Sequence, residues 1–217
     1  MVNVLLNYYN FDEQWAYDAL KDLLTGKRVA VLPLSFRDNQ AWDNPSWQAL
    51  FGKDGEKYNT IIKPFFAYGI AEEDICWINY FVDTTATALD KIANADVLFF
   101  TGGLPEKTTQ RLSQMCLTNA VVNFDGVVMG ASAGAMFQLD SYHVTPDDDY
   151  PTFFFDKGVG LVSGFDLEVH FENTSIQQEC TQKAKQHHNL PVYAMWHQGG
   201  LIVNGSQITL MGKVDKY

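Results

Sequence analysis

The sequence has 217 residues, which is the length of one ordinary domain or at most two small ones. Lys and Arg number 15 and Asp and Glu number 26, so the formal net charge is −11. A surface this acidic repels phosphates, which argues against a nucleic acid or an anionic membrane as the partner. Hydrophobic residues make up 47% of the chain and charged residues 19%, which favours a folded core over disorder.

The first half of the chain alternates short apolar runs with helical patterns. Strands are predicted at Val2–Leu6, Arg28–Leu34, Asp74–Ile78 and Asp96–Phe100, and helices at Asp12–Leu24, at Thr85–Ala93 and in part of Trp47–Phe66.

The second half continues the same alternation up to a closing hairpin. Helices are predicted at Thr108–Leu117 and Ile176–His188, strands at Gly126–Met129 and Val192–Ala194, and a hairpin of Leu201–Val203 and Gln207–Met211 joined by Asn204-Gly205. Apolar strands without alternation, separated by helices, predict an α/β fold with a mostly parallel sheet and helices on both faces. No linker divides the chain, so we expect a single domain over residues 1–217.

Several classes of protein are disfavoured by what the sequence lacks. The three cysteines lie far apart with no C-x-x-C spacing, so neither a disulfide framework nor a zinc site is supported. No apolar run approaches the ~18 residues that span a bilayer, and the N-terminus does not resemble a signal peptide. The glycine patterns of dinucleotide sites and P-loops are also missing. We expect a cytoplasmic protein with no metal and no cofactor.

A nucleophile is predicted where the Gly126–Met129 strand ends. The following residues, Gly130-Ala131-Ser132-Ala133-Gly134, fit the G-x-S-x-G pattern of a strand-turn-helix elbow, in which small neighbours let a strained serine project from the sheet. The alternative is a small-residue helix start with Ser132 as its N-cap. The buried strand before the serine favours the nucleophile, because reactive groups lie at the carboxyl ends of parallel strands.

A nucleophilic serine needs a base and a group that orients the base. Of the five histidines, His170 lies in an alternating run typical of a strand end, although a histidine in such a run is more often a structural core residue. His143 lies in an acidic loop, His197 in a late turn, and His187 and His188 at the end of a polar helix. Three adjacent aspartates, Asp147 to Asp149, lie between the serine and His170, and such a run is usually a solvated turn unless one member points inward.

Four tracts in order resemble a known family: Phe99-Phe100-Thr101-Gly102-Gly103, Gly130–Ala135, Gly158–Val162 and Val169-His170-Phe171. The chain is similar to the serine peptidase family of dipeptidase E (aspartyl dipeptidase) and cyanophycinase over most of its length. That resemblance implies the class I glutamine amidotransferase-like fold, a flavodoxin-like three-layer sandwich, with serine where relatives have cysteine. It also implies a serine hydrolase that cleaves a small peptide or amide through an acyl-enzyme.

The resemblance assigns roles to individual residues. Ser132 would be the nucleophile and His170 the general base. Asp149 would orient His170, because Asp149-Tyr150-Pro151 resembles the family's Asp-x-Pro, with Asp147 as the alternative by residue count. The oxyanion hole would consist of the N–H groups of Gly103 and Ala133, with Gly102 as a further candidate.

Departures from the family pattern leave the substrate open. Leu104-Pro105 replaces the usual Asn-Thr, no arginine follows on the helix after His170, and Gln198 stands where relatives have glutamate. Residues 112–156 contain six aspartates and no Lys or Arg. If no basic residue folds in from elsewhere, such as Arg37, the substrate is expected to be neutral or cationic.

Three other interpretations stay open at this stage. The chain could be an α/β-hydrolase esterase, because the order Ser, Asp, His also fits that fold. It could be a non-catalytic domain that binds a small molecule or a partner, since Leu104 and Gln198 depart from the family. Aromatic residues in the first half, Trp42, Trp47, Tyr68, Trp77 and Tyr80, could line a substrate wall or form the face of a homodimer.

Overall fold

The computed structural model describes all 217 residues. Short apolar runs form the centre of a parallel sheet. Its strands are β1 (Val2–Leu6), β2 (Val29–Leu32), β3 (Ile75–Trp77), β4 (Val97–Phe100) and β5 (Val127–Ala131). They lie in the order β3-β2-β4-β5-β1, and each neighbouring pair is parallel. Every residue of β2, β4 and β5 is buried, as expected for parallel strands covered on both faces.

The last third of the chain extends this sheet with antiparallel strands. β6 (Tyr142–Val144) and β7 (Phe154–Asp156) form a separate two-stranded sheet, and β8 (Asp166–Glu168) lies parallel to β9 (Val192–Asn204). β9 pairs antiparallel with β1 and with β10 (Gln207–Lys216). The predicted hairpin is present, but both of its strands extend beyond the apolar segments from which they were predicted.

Helices cover the two faces of the sheet. The helices are α1 (Gln14–Leu24), α2 (Asn44–Phe51), α3 (Tyr58–Phe66), α4 (Thr85–Ala93), α5 (Pro105–Gln114), α6 (Thr118–Val122), α7 (Ala133–Met136) and α8 (Ser175–His188). Alternate residues of β2 face opposite cores: Val29 and Val31 pack with α1 to α3, and Ala30 and Leu32 pack with α4 to α6. The molecule is therefore an α/β three-layer structure with a mostly parallel sheet, as the sequence predicted.

Some boundaries and aromatic placements differ from the sequence predictions. The helix predicted at Thr108–Leu117 begins at Pro105, because proline suits the first helical turn, and a separate helix, α6, begins at Thr118. Trp47 and Tyr68 are buried in the core, whereas Trp42 is 67% exposed. None of the helices has the length and apolar character required to cross a membrane.

Candidate active site

Ser132 occupies the sharp turn between β5 and α7. Its φ of +54° and ψ of −116° are strained for a residue with a side chain. Its flanking glycines permit the turn: a Cβ on Gly130 would lie 1.8 Å from the carbonyl oxygen of Gly134, and a Cβ on Gly134 would lie 2.2 Å from that of Phe100. The elbow expected from the sequence is therefore formed, and larger side chains would not fit beside it.

His170 lies two residues beyond the end of β8, and its ring reaches the serine. The Nε2 atom of His170 is 2.7 Å from the Oγ atom of Ser132. Burial lowers the pKa of His170, while the charges of Asp147 and Glu172 raise it and His197 lowers it, and the balance is a lowered pKa. The imidazole is thus neutral at neutral pH, which is the form that can accept a proton.

Asp149 does not take the place that the resemblance implied. Its carboxylate faces Arg37, which donates from Nε over 2.6 Å and forms an ion pair through its second guanidinium nitrogen. The Nδ1 atom of His170 is buried and has no hydrogen-bond partner. The expectation that Asp149 orients His170 is corrected by this geometry, because a two-point contact with a guanidinium is a strong interaction for a carboxylate.

Asp147 is differently placed. Its Oδ1 atom accepts the backbone N–H groups of Asp149 at 2.8 Å and of Tyr150 at 2.9 Å, which fixes the side chain at the start of the turn. Its charge acts on His170 and raises the pKa of that ring. Asp148 is exposed and has no side-chain hydrogen bond. Asp147 is therefore the member of the run that remains a candidate for orienting His170 or stabilising its charge.

Of the three amides expected in the oxyanion hole, one is already occupied. The N–H of Gly102 donates to the hydroxyl of Tyr9 over 2.6 Å. The N–H of Gly103 donates to no group of the protein, and Ala133 opens α7, so its N–H has no partner within the helix. Gly103 and Ala133 thus remain available, and Gly102 does not. Sequence reasoning missed Tyr9, which comes from the loop after β1.

Ser35 shapes the loop that presents Gly103. Its hydroxyl donates to the carbonyl oxygen of Gly102 at 2.6 Å, and its own carbonyl oxygen accepts the N–H of Leu104 at 2.8 Å. Gly103 has a φ of +144°, and a Cβ there would lie 2.3 Å from the Ser35 carbonyl oxygen. The loop approaches Ser35 so closely that only glycine fits, which explains Gly103 by packing as well as by chemistry.

Two cavities meet at Ser132 and His170. We call the first the acidic cavity; it has a volume of about 340 Å³, and no Lys or Arg lines it. Its carboxylates are Asp147, Asp149, Glu168 and Glu172. The second, which we call the Lys57 cavity, has a volume of about 510 Å³ and is lined by Arg37 and Lys57 together with Glu56, Asp147 and Asp149.

Basic residues therefore do fold in beside the serine, and this removes the basis for expecting a neutral or cationic substrate. Arg37 is neutralised by Asp149. Lys57 forms no ion pair or hydrogen bond through its side chain and is half-buried, and burial lowers its pKa. Sequence reasoning missed Lys57 because it comes from the start of α3, far from the elbow in the chain.

His143 belongs to a buried ionic cluster in the wall of the acidic cavity. Its Nδ1 lies 2.8 Å from Asp166 and its Nε2 lies 2.6 Å from Glu168, which also accepts the Thr145 hydroxyl at 2.6 Å. Burial alone would lower the pKa of His143, but the hydrogen bonds and charges of the two carboxylates outweigh it and raise the pKa to about 9. His143 is therefore a charged structural residue and does not contact Ser132.

Comparisons with known proteins agree with the fold. No model of a protein family matches the chain, and no curated protein matches its sequence. A protein from Listeria monocytogenes EGD-e, provisionally named a peptidase E, matches with a TM-score of 0.70 at 15% identity over 96% of each chain. A peptidase from an acI-B1 actinobacterium matches with a TM-score of 0.62 at 13% identity, over 98% of this chain and 87% of its own. The chain thus has the peptidase E-like fold that the sequence resemblance implied.

Proposed function

We propose that this chain is a serine hydrolase of the dipeptidase E-like type that cleaves a small peptide or amide through an acyl-enzyme. The proposal rests above all on the 2.7 Å contact between His170 Nε2 and Ser132 Oγ at a strained elbow beside two open cavities. A neutral imidazole in hydrogen-bond contact with a serine hydroxyl is the arrangement that general-base activation requires.

In this mechanism Ser132 Oγ attacks the substrate carbonyl while His170 Nε2 accepts the hydroxyl proton. The N–H groups of Gly103 and Ala133 stabilise the negative charge that develops on the carbonyl oxygen. The C–N bond then breaks, and His170 returns the proton to the leaving amine. A water molecule repeats the sequence on the acyl-enzyme and releases the acid and Ser132. Asp147 stabilises the imidazolium that forms twice in this cycle.

The other interpretations have less support. An esterase of the α/β-hydrolase type is disfavoured because the likeness in fold is to peptidase E-like structures. A non-catalytic binding domain would be consistent with the unpartnered Nδ1 of His170, but it gives no reason for the short contact on the other side of the ring.

The test is hydrolysis of a panel of dipeptides and aminoacyl amides, followed by chromatography and mass spectrometry. We expect the wild-type protein to cleave at least one member and Ser132→Ala to lose about a thousandfold or more in kcat. Ser113→Ala, which alters an exposed serine of α5, is the matched control and should behave as wild type. Equal activity of Ser132→Ala and wild type would overturn the mechanism, and a panel left wholly uncleaved would favour the non-catalytic interpretation.

A further inference from the structure

The backbone of His170 is held in a conformation that a histidine does not favour by itself. Its φ is +52°, in the left-handed region, which is strained for a residue with a side chain. In many catalytic serine sites a carboxylate fixes the base through the second ring nitrogen, but here Nδ1 has no hydrogen-bond partner. The position of the ring must therefore depend on contacts elsewhere in the residue.

Asn7 holds the N–H side of His170. The Oδ1 atom of Asn7 accepts the backbone N–H of His170 at 2.6 Å. Its Nδ2 atom donates to the carbonyl oxygens of Met195 at 3.0 Å and of Trp196 at 2.8 Å. Because Nδ2 faces two carbonyl oxygens, the orientation of the amide is determined. Asn7 is buried at the end of β1, so this contact ties His170 to the central sheet.

Gln177 holds the carbonyl side of the same residue. Its Nε2 atom donates to the carbonyl oxygen of His170 at 2.9 Å, and its Oε1 atom accepts the N–H of Glu172 at 2.9 Å. Gln177 is the third residue of α8 and forms a capping box with Thr174, which fixes its own backbone. The contact therefore joins His170 to the first turn of α8.

We propose that Asn7 and Gln177 are positioning residues that together fix the imidazole of His170 against Ser132. The proposal rests on the proposed function, since it assumes that His170 is the base. The two peptide groups of His170 are bound by side-chain amides from β1 and α8. These two hydrogen bonds hold the left-handed backbone of His170 and compensate for the missing hydrogen bond at Nδ1. Each amide acts by fixing the position of the ring.

The principal test is Gln177→Met, which removes the side-chain hydrogen bonds of Gln177 to His170, Glu172 and Thr174 at similar volume without changing the charge near His170. Gln178→Met is the matched control, because Gln178 is the next residue of α8 and its side chain hydrogen-bonds only to Asn173. The measurement is the rate of inactivation by a fluorophosphonate, together with kcat and KM on any peptide that the wild type cleaves.

We expect Gln177→Met to lose about tenfold to a hundredfold in inactivation rate and in kcat, because small misplacements of a catalytic group have effects of that size. KM and the pKa of the acid limb should change little, and the thermal unfolding midpoint should fall only slightly through the lost capping contact with Thr174. A purely structural defect would lower the midpoint without acting selectively on kcat. Gln178→Met should match wild type. Asn7→Leu should show the same loss of kcat, although its effect on folding makes it the secondary variant.

The outcomes separate this inference from the proposed function. If wild type reacts at Ser132 but Gln177→Met reacts equally fast, the positioning role is wrong and the proposed function stands. If wild type itself is not modified at Ser132, the proposed function is wrong, and the positioning role that rests on it is wrong too.

Discussion

Ser132 and His170 both have positive φ values, +54° and +52°, although neither is glycine. Strained backbones of this kind persist only where the surroundings impose them, and they concentrate at functional sites. For Ser132 the surroundings are Gly130 and Gly134, whose missing side chains let α7 approach β5 and the end of β4. For His170 they are side-chain amides from β1 and α8. The proposed base and nucleophile are thus placed by packing before any substrate is present.

The lowered pKa of His170 predicts the pH dependence of the reaction. Since burial is the main cause and the neutral ring is the active form, the acid limb of kcat/KM should lie below the ordinary histidine value of about 6.5. Glu172→Gln removes a charge that raises this pKa, so its acid limb should lie lower still. An acid limb at or above 6.5 in the wild type would contradict the assignment. The measurement is kcat/KM, or the inactivation rate, between pH 4.5 and about 8.

The two candidate carboxylates should respond differently to loss of charge. Asp147→Asn removes a charge that stabilises protonated His170, so kcat should fall by about tenfold or more, since electrostatic support of this imidazolium is part of catalysis. Asp149→Asn breaks the pair with Arg37, so it should alter substrate affinity or stability more than kcat. Steady-state kinetics of both variants, with Asp148→Asn as the exposed control, would decide. A larger loss of kcat in Asp149→Asn would restore the assignment that the sequence resemblance implied.

At the residue level, features that depend on neighbouring residues were predicted from the sequence, whereas contacts between residues far apart in the chain were not. The elbow at Ser132 could be recognised because its steric requirement lies within five consecutive residues. The partner of Asp149 could not, since Arg37 is 112 positions away and no local pattern shows that the two meet. Tyr9 was missed for the same reason, although it occupies the N–H of Gly102.

At the level of elements, buried strands and capped helices were well predicted from the sequence. The helix at Thr85–Ala93 has the predicted bounds, because Thr84 caps it and an apolar face continues through it. β6 and β7 were not predicted as strands, because each has only three residues and an alternation with a period of two cannot be recognised over so short a run. The acidic segment that contains β6 and β7 also has the composition of a loop.

The position of Lys57 at the start of α3 predicts a preference for a free carboxylate. Lys57 lines the same cavity as Ser132, and its side chain forms no ion pair in the protein. A charged hydrogen bond is worth about 1.5–3 kcal/mol, so wild type should cleave a free-acid dipeptide about tenfold or more better than its C-terminal amide. Lys57→Gln should abolish that difference, measured as the ratio of kcat/KM values.

Lys63→Gln provides the control for this prediction. Lys63 is an exposed lysine of the same helix and lines none of the cavities beside Ser132. It should leave the ratio of acid to amide unchanged. If Lys57→Gln also leaves the ratio unchanged, the Lys57 cavity does not hold the carboxylate.

At the level of the whole molecule, the parallel sheet explains why distant residues meet. β1, β4 and β5 run in the same direction, so Asn7, Gly103 and Ser132 follow three strands at one edge of the sheet. This convergence could be predicted from the alternation of strands and helices. The arrangement of charge could not be predicted in this way, because a net charge of −11 does not show that an acidic cavity lies beside a cavity with an unpaired lysine.

The buried cluster of His143 predicts how stability depends on pH. The pKa of His143 is raised to about 9 in the folded protein, above its unfolded value of about 6.5. Its contribution to stability is therefore complete below about pH 6.5 and is lost as the pH rises through about 9. The thermal unfolding midpoint of wild type should fall as the pH rises through this window. His143→Gln should have a lower midpoint overall, and its midpoint should fall less steeply with pH. Parallel declines in the two proteins would refute this role for His143.

The central claim is that His170 activates Ser132, and covalent labelling tests it most directly because it requires no knowledge of the substrate. Wild-type protein is treated with a fluorophosphonate, and the modified residue is located by peptide mass spectrometry. We predict one phosphonyl adduct, on Ser132, with labelling abolished in Ser132→Ala and slowed at least a hundredfold in His170→Ala. An unlabelled Ser132 in the folded wild-type protein, or equal labelling rates in wild type and His170→Ala, would contradict the account.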